Sequence, residues 1–216
     1  MPVVRPTPTD DHPTYHHGDL KRSLVDATLA LVAEKQDWDF SLREVARRAG
    51  VSHNAPYNHF ADKRDLLAAV AAAGYEALRA RLLAAASDAD VPEAALVAIG
   101  VAYVRFGIEN PAHYRLMFGA ALVTVEGPPA VVTEAAAGAK AVLGDVVLRG
   151  AHEGRFTASS DHQAELDLAV LSAWSIVHGL TMLIIDNLAG RGAPVSPHDP
   201  VAEHVARVLL DGIRKR

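Results

Sequence analysis

The stretch Ser41-Leu42-Arg43-Glu44, closed off by Gly50-Val51-Ser52, restricts the fold of this chain more than any other. Ser41 and Glu44 stand at capping-box spacing: the serine oxygen accepts from a free backbone N–H, and the glutamate reaches back to the N-cap. Gly50 supplies the left-handed residue that stops a helix. A short helix over 42–49 is therefore bounded at both ends by local chemistry. Ser52 reads as the next N-cap and predicts a third short helix to Phe60. Two short helices around one glycine turn form a helix-turn-helix, with Val51 pinning one helix to the other.

The rest of the chain reads as helix. Alanine- and leucine-rich stretches are punctuated by glycine and proline, and strand signals are scarce. A first helix is expected over 19–35, with Leu20, Leu24, Ala27 and Leu31 on one face. A long one should start at Asp62 and carry Leu66, Val70, Ala73, Ala77 and Leu78 inward. Ser87 to Pro92 reads as a linker. Further helices are expected over 92–109, 111–122, 128–153, 162–189 and 199–214, broken at Asn110-Pro111, Gly127-Pro128-Pro129, Gly154–Ser160 and Gly190–Pro197. The expected architecture is all-α: a tail over 1–14, a three-helix helix-turn-helix domain over 17–77, and a helical effector and dimerisation domain over 78–216.

Charge is informative only locally. The 216-residue chain has a formal net charge of -5, which argues against nucleic acid coating its whole length. Between Ser41 and Arg64, Arg43, Arg47, Arg48, Lys63 and Arg64 face Glu44 and Asp62, and five minus two gives +3. Arg43 and Arg47 lie four apart on the polar side of the second helix. The third helix carries His53, Asn54, Tyr57, Asn58 and His59, a poor set for stability but a good one for hydrogen bonding. Asn pairs with adenine edges, and Tyr and His donate to phosphates. The competing reading makes these ordinary surface residues, with Tyr57 and Phe60 packing a small core. Lys63, beside the free N–H groups of the next helix, suits a phosphate; the alternative is a solvated lysine.

From Tyr15 to Leu67, and above all from Ser41-Leu42-Arg43-Glu44-Val45-Ala46 through Gly50-Val51-Ser52 to Tyr57-Asn58-His59-Phe60-Ala61-Asp62-Lys63, the sequence resembles the DNA-binding domain of the TetR/AcrR-type transcriptional regulators. The resemblance implies a dimeric, two-domain regulator. It implies that Ser52, Tyr57, His59 and Lys63 touch the DNA backbone, while His53, Asn54, Ala55 and Asn58 face bases. Pro56 departs from the pattern: a proline there removes a backbone donor and predicts a tightened first turn. The second half resembles the effector domain of one TetR subgroup more loosely, through Tyr103-Val104-Arg105-Phe106, Asn110-Pro111, Tyr114-Arg115-Leu116-Met117-Phe118 and Trp174-Ser175-Ile176-Val177-His178-Gly179.

Most large side chains of that half, among them Tyr103, Phe106, His113, Tyr114, Met117, Phe118, Trp174, His178 and Met182, fall on three predicted helices. Phe106, Tyr114, Met117, Phe118, Trp174 and His178 are the candidates for a small-molecule site; the competing reading is a bundle core. Val201, Val205, Val208, Leu209 and Gly212 form an apolar stripe on the last helix. With the uncharged segment 168–185, it suggests a four-helix interface between two copies. That segment is just long enough to span a membrane, but it is bracketed by Asp167 and Asp186 and anchored by no Lys/Arg cluster. It is read as a buried helix.

The function expected is a cytoplasmic repressor, released from a palindromic double-stranded operator by a small-molecule effector; an activator, or an interaction module without effector, are the alternatives. Catalysis is not expected. There is no cysteine, no paired-histidine metal spacing on a helix, no nucleophile elbow and no phosphate loop. His16-His17 reads as part of a flexible cap, and neither metal nor cofactor is expected. The N-terminus has no apolar signal segment.

Overall fold

The computed structural model describes residues 17–35, 37–119, 122, 127–189 and 200–215, with only the backbone at 17–19. The expected tail over 1–14 and His16 lie outside the described residues. The helices are α1 (His17–Lys35), α2 (Leu42–Arg48), α3 (Lys63–Ser87), α4 (Pro92–Glu109), α5 (Pro111–Phe118), α6 (Ala130–His152), α7 (Gln163–Ile185) and α8 (Pro200–Ile213), with a 3-10 turn at Ala55–Asn58. No strand occurs among the described residues; one isolated bridge joins Phe156 to Arg214. Two compact units result, one ending at Asp62 and the other starting at Lys63.

In the first unit, α1 buries Leu24, Val25, Ala27, Thr28, Leu31 and Val32, while Leu20 stays half-buried. α2 starts at the capping box as expected: Glu44 N–H donates to Ser41 Oγ (3.3 Å), and Ser41 N–H donates to Glu44 Oε2 (2.8 Å). It ends in a Schellman turn at Gly50, whose φ is +70°, with Val51 N–H donating to Ala46 O (3.0 Å). α2 buries Leu42, Val45 and Ala46 against α1.

The third helix differs from expectation. No α-helix starts at Ser52; its carbonyl instead accepts from Ala55 N–H (2.9 Å), and the 3-10 turn follows, capped at Asn54 without a side-chain bond. Pro56 explains this. It lacks the N–H an α-helical turn would use, and its ring is buried, so the segment tightens to three-residue hydrogen bonding.

In the second unit, α3 and α4 pack on each other and on α6, while α7 and α8 close the other side against α4. α3 runs unbroken across residues 77 and 78, and Ala77 is exposed rather than inward. α4 is bounded as predicted by Pro92 at its first turn and by Asn110-Pro111. α5 stops at Phe118, short of Leu122, because Gly119 turns extended where a Cβ would lie 2.4 Å from Arg115 O. α7 stops at Ile185 because Asn187 adopts φ +56° and Leu188 N–H caps Leu183 O (2.7 Å).

The α6–α7 turn buries Phe156 against Gly150, where a Cβ would meet the ring at 2.2 Å. Its neighbours pair with the end of the chain: Thr157 N–H donates to Ile213 O and Lys215 N–H to Arg155 O, both 2.8 Å. α7 is only partly the buried helix expected. By length and composition it passes as a membrane span, yet only 22% of its most apolar window is buried. Leu166, Val170, Ala173, Val177 and Thr181 face the unit's interior, while Leu168, Leu171, Ile176 and Leu183 are exposed.

Candidate nucleic-acid interface and effector cavity

The helix-turn-helix unit separates residues that hold the fold from residues that face outward. Arg48 pairs with Glu34 of α1, so its charge is committed within the unit. Lys35 Nζ bonds Glu44 Oε1 (2.8 Å) and Asp39 O (3.1 Å). The Lys35 ammonium, with the Ser41 N–H and hydroxyl, holds the Glu44 carboxyl at about 2. Arg43 and Arg47, by contrast, are exposed on α2.

Around the 3-10 turn, Ser52, His53, Asn54, Tyr57 and Asn58 are exposed, Ala55 and His59 half-buried, and Pro56 and Phe60 buried. Tyr57 is 52% exposed, too open for the core role weighed above. Phe60 fills that role, with Lys21 Nζ 5.9 Å from its ring centre. The buried proline and phenylalanine thus hold a short segment whose remaining side chains present hydrogen-bonding groups to solvent. Lys63 is the first residue of α3.

The second unit holds a partly open cavity of about 220 Å³. Its walls are Tyr75, Leu78 and Leu82 of α3, Leu96, Ile99, Gly100 and Tyr103 of α4, and Phe118 at the end of α5. Ala136, Ala137, Ala139, Lys140 and Leu143 of α6, Ala173, Trp174 and Val177 of α7, and Ala206 and Leu209 of α8 complete them. Lys140 is the lone charged residue among these, and like Ala137 it is exposed.

At one end lies a polar cluster. Trp174 Nε1–H donates to the Tyr103 hydroxyl (3.1 Å), which is 2.9 Å from the Tyr114 hydroxyl. His178 Nδ1 stands 2.7 Å from the Tyr114 oxygen and 3.1 Å from that of Tyr103. Burial pushes the Tyr103 phenol up to about 12, raises Tyr114, and lowers His178, so the cluster is held uncharged. Phe118 packs against His178 (ring centres 4.8 Å apart) and Tyr114 (4.7 Å).

Of the six predicted effector residues, Phe118 and Trp174 line the cavity, and Tyr114 and His178 stand behind it through Tyr103. Phe106 and Met117 do not line it. Phe106 is buried beneath the Arg81 guanidinium (5.6 Å), and Met117 packs its sulfur on Gly74. His113, also buried, bonds through Nε2 to Val70 O (2.6 Å), and burial lowers its pKa. Tyr75, Lys140 and the aliphatic walls escaped the sequence reading. Tyr75 left one signal, as the sole aromatic residue of α3, and its hydroxyl donates to Met117 O (2.8 Å). No group of three or more metal-binding side chains occurs among the described residues.

Two family models match the chain: "Bacterial regulatory proteins, tetR family" over residues 24–70, and "Tetracyclin repressor-like, C-terminal domain" over residues 96–209. A protein of unknown function from Rhodococcus sp. RHA1 is 28% identical, covers 94% of this chain and 100% of its own, and superposes with a TM-score of 0.79. A TetR family transcription regulator from Marinobacter aquaeolei VT8 is 20% identical over 92% of this chain and 98% of its own, with a TM-score of 0.65. The fatty acid degradation regulator FadR from Bacillus halodurans is 17% identical over 94% of this chain and 100% of its own, with a TM-score of 0.68. No curated protein matches the chain. The matched models cover the helix-turn-helix and most of the helical unit that holds the cavity, and the chain belongs to the TetR family of DNA-binding transcription regulators.

Proposed function

We propose that this protein is a homodimeric, cytoplasmic repressor that reads a palindromic operator and leaves it when a small molecule fills the cavity of the second unit. The observation that carries the DNA assignment is the outward-facing set on the helix-turn-helix: Arg43, Arg47, Ser52, His53, Asn54, Tyr57 and Asn58 are exposed on two elements whose interior is already filled by other residues. Ser52, Tyr57, His59 and Lys63 are assigned to the phosphate backbone, joined by Arg43 and Arg47, and His53, Asn54, Ala55 and Asn58 to base edges.

Support for a dimer comes from α7 and α8, which pack on each other. Leu168, Leu171, Ile176 and Leu183 of α7 and Val208 of α8 are exposed in the single chain. Apolar residues repeated along one helix face call for a covering partner, and a two-fold copy supplies the same face again. α8 contributes less than its sequence stripe suggested, because Leu209 is buried within its own chain.

Coupling has a covalent route. α3 opens with Lys63 and, further along, lines the cavity with Tyr75, Leu78 and Leu82. A ligand that favours one setting of this helix shifts the population competent to hold both half-sites.

The assignment is tested with Tyr57→Ala and Lys63→Ala. Each is expected to weaken binding to all duplex sequences by about 1 kcal/mol or more, with the far-UV spectrum unchanged. Unaltered affinity in both variants refutes the contact assignment.

A further inference from the structure

The chemistry of the cavity restricts its ligand, an inference that rests on reading the cavity as the effector site. Among the lining residues there is no carboxylate to receive a cation. The lone cation, Lys140, is exposed at the edge, so a carboxylate buried deeper would have no partner. The walls are otherwise aliphatic and aromatic, and Tyr103 and Trp174 are the lining residues that belong to the polar cluster.

The Tyr103 hydroxyl has spare hydrogen-bonding capacity, and proton bookkeeping shows of which kind. The Trp174 N–H can only donate, and it donates to Tyr103. Suppose His178 carries its proton on Nδ1. It then donates to the Tyr114 oxygen, Tyr114 donates to Tyr103, and the Tyr103 proton is left for the cavity. Suppose instead Nδ1 is bare. Tyr103 then donates to Nδ1 (3.1 Å) while accepting from Tyr114 and Trp174, and its oxygen offers the cavity nothing further. The cluster therefore meets a hydrogen-bond acceptor in the cavity by carrying the His178 proton on Nδ1, with no change of charge. A ketone, an ester carbonyl and a hydroxyl all fit; a carboxylate would also accept this proton, but one hydrogen bond does not offset the hydration it loses among apolar walls.

We propose that the effector is an uncharged, predominantly apolar molecule that places one hydroxyl or carbonyl group on Tyr103. Size follows from volume. An apolar cavity of about 150 Å³ accommodates benzene, so one of about 220 Å³ holds roughly nine non-hydrogen atoms before the ligand extends past Lys140.

Trp174 reports occupancy directly. The chain has two tryptophans, so Trp38→Phe leaves the cavity indole as the only one. Full-length Trp38→Phe protein is titrated with octan-1-ol, octan-2-one, octanoate and octylammonium while the indole fluorescence is followed. The alcohol and the ketone are expected to saturate the signal at concentrations at least about tenfold below those of the two ions. Adding Tyr103→Phe is expected to weaken the alcohol and the ketone about fivefold. Ala136→Leu, which narrows the wall without touching the polar cluster, is expected to suppress the response to every probe.

Octanoate binding as tightly as octan-1-ol, and losing that affinity on Lys140→Gln, would overturn the uncharged ligand in favour of an anion held at the mouth while leaving the cavity as the effector site. Preference for the alcohol that survives Tyr103→Phe in folded protein would overturn the anchor. Absence of any response to all four probes would overturn the cavity reading itself, and the ligand class with it.

Discussion

At the residue scale, one buried and one half-buried histidine give the second unit a dependence on acid. His113 is nearly enclosed, donates from Nε2 to Val70 O, and has a pKa lowered from 6.5 by burial; His178 is lowered for the same reason. In the unfolded chain both imidazoles take up protons near pH 6.5. The folded chain binds those protons only at lower pH. The unfolded state therefore holds more protons across that interval, and stability falls as pH drops from 6.5 through the folded values. The urea midpoint is predicted to fall between about pH 7.5 and about pH 5.5, and His113→Gln is predicted to flatten the fall. An unchanged slope in the variant would show that His113 does not titrate as its burial requires.

The same scale shows what the sequence could disclose about the cavity. Phe118 and Trp174 line it, but size alone did not separate them from Phe106 and Met117, which fill the core beside it. Space is made by residues that are small, such as Gly100, Ala136 and Ala173, and small residues on an alanine-rich helix carry no distinguishing signal. Tyr103 gains its importance from partners on α5 and α7 that the chain brings in from 11, 71 and 75 residues away.

At the element scale, ends fixed by local chemistry were legible and ends fixed by one atypical residue were not. The capping box and Gly50 set α2, and Pro92 with Asn110-Pro111 set α4. Asn187 ended α7 early through a left-handed backbone that only glycine signals clearly in a sequence. Pro56 was recognised as a disturbance of the first turn, but no α-helix forms around it: a 3-10 turn over Ala55–Asn58 takes its place.

Ser41→Ala is predicted to cost about 1 kcal/mol of stability in a denaturant melt, since α2 loses the acceptor for its free N–H. The low Glu44 pKa adds a pH signature. Its lowered value stabilises the folded state above the ordinary value of 4.5, and this contribution is lost as pH falls from there through about 2. A melt of Ser41→Ala that matches the wild type would show that the box observed at Ser41 does not hold α2.

For the whole molecule, the exposed apolar face of α7 is the feature that a single chain leaves unexplained. Substituting Leu171→Arg, at a position exposed in one copy, is predicted to yield folded monomer by sedimentation and to weaken operator binding about 100-fold or more, because the second half-site then binds independently. A variant that stays dimeric and binds DNA normally would place the interface elsewhere. The acidic net charge of the chain beside the local surplus between Ser41 and Arg64 fits the proposal that DNA meets that segment and not the rest of the surface.

Operator reading by a dimer is tested by selection of bound sequences from random duplex DNA by the purified full-length protein, repeated at low and at physiological salt. One palindrome with two equal half-sites is expected, bound more weakly as salt rises because phosphate contacts release counterions. Recovery of no sequence above background, or of an unpaired half-site indifferent to salt, would contradict a dimeric, operator-reading regulator.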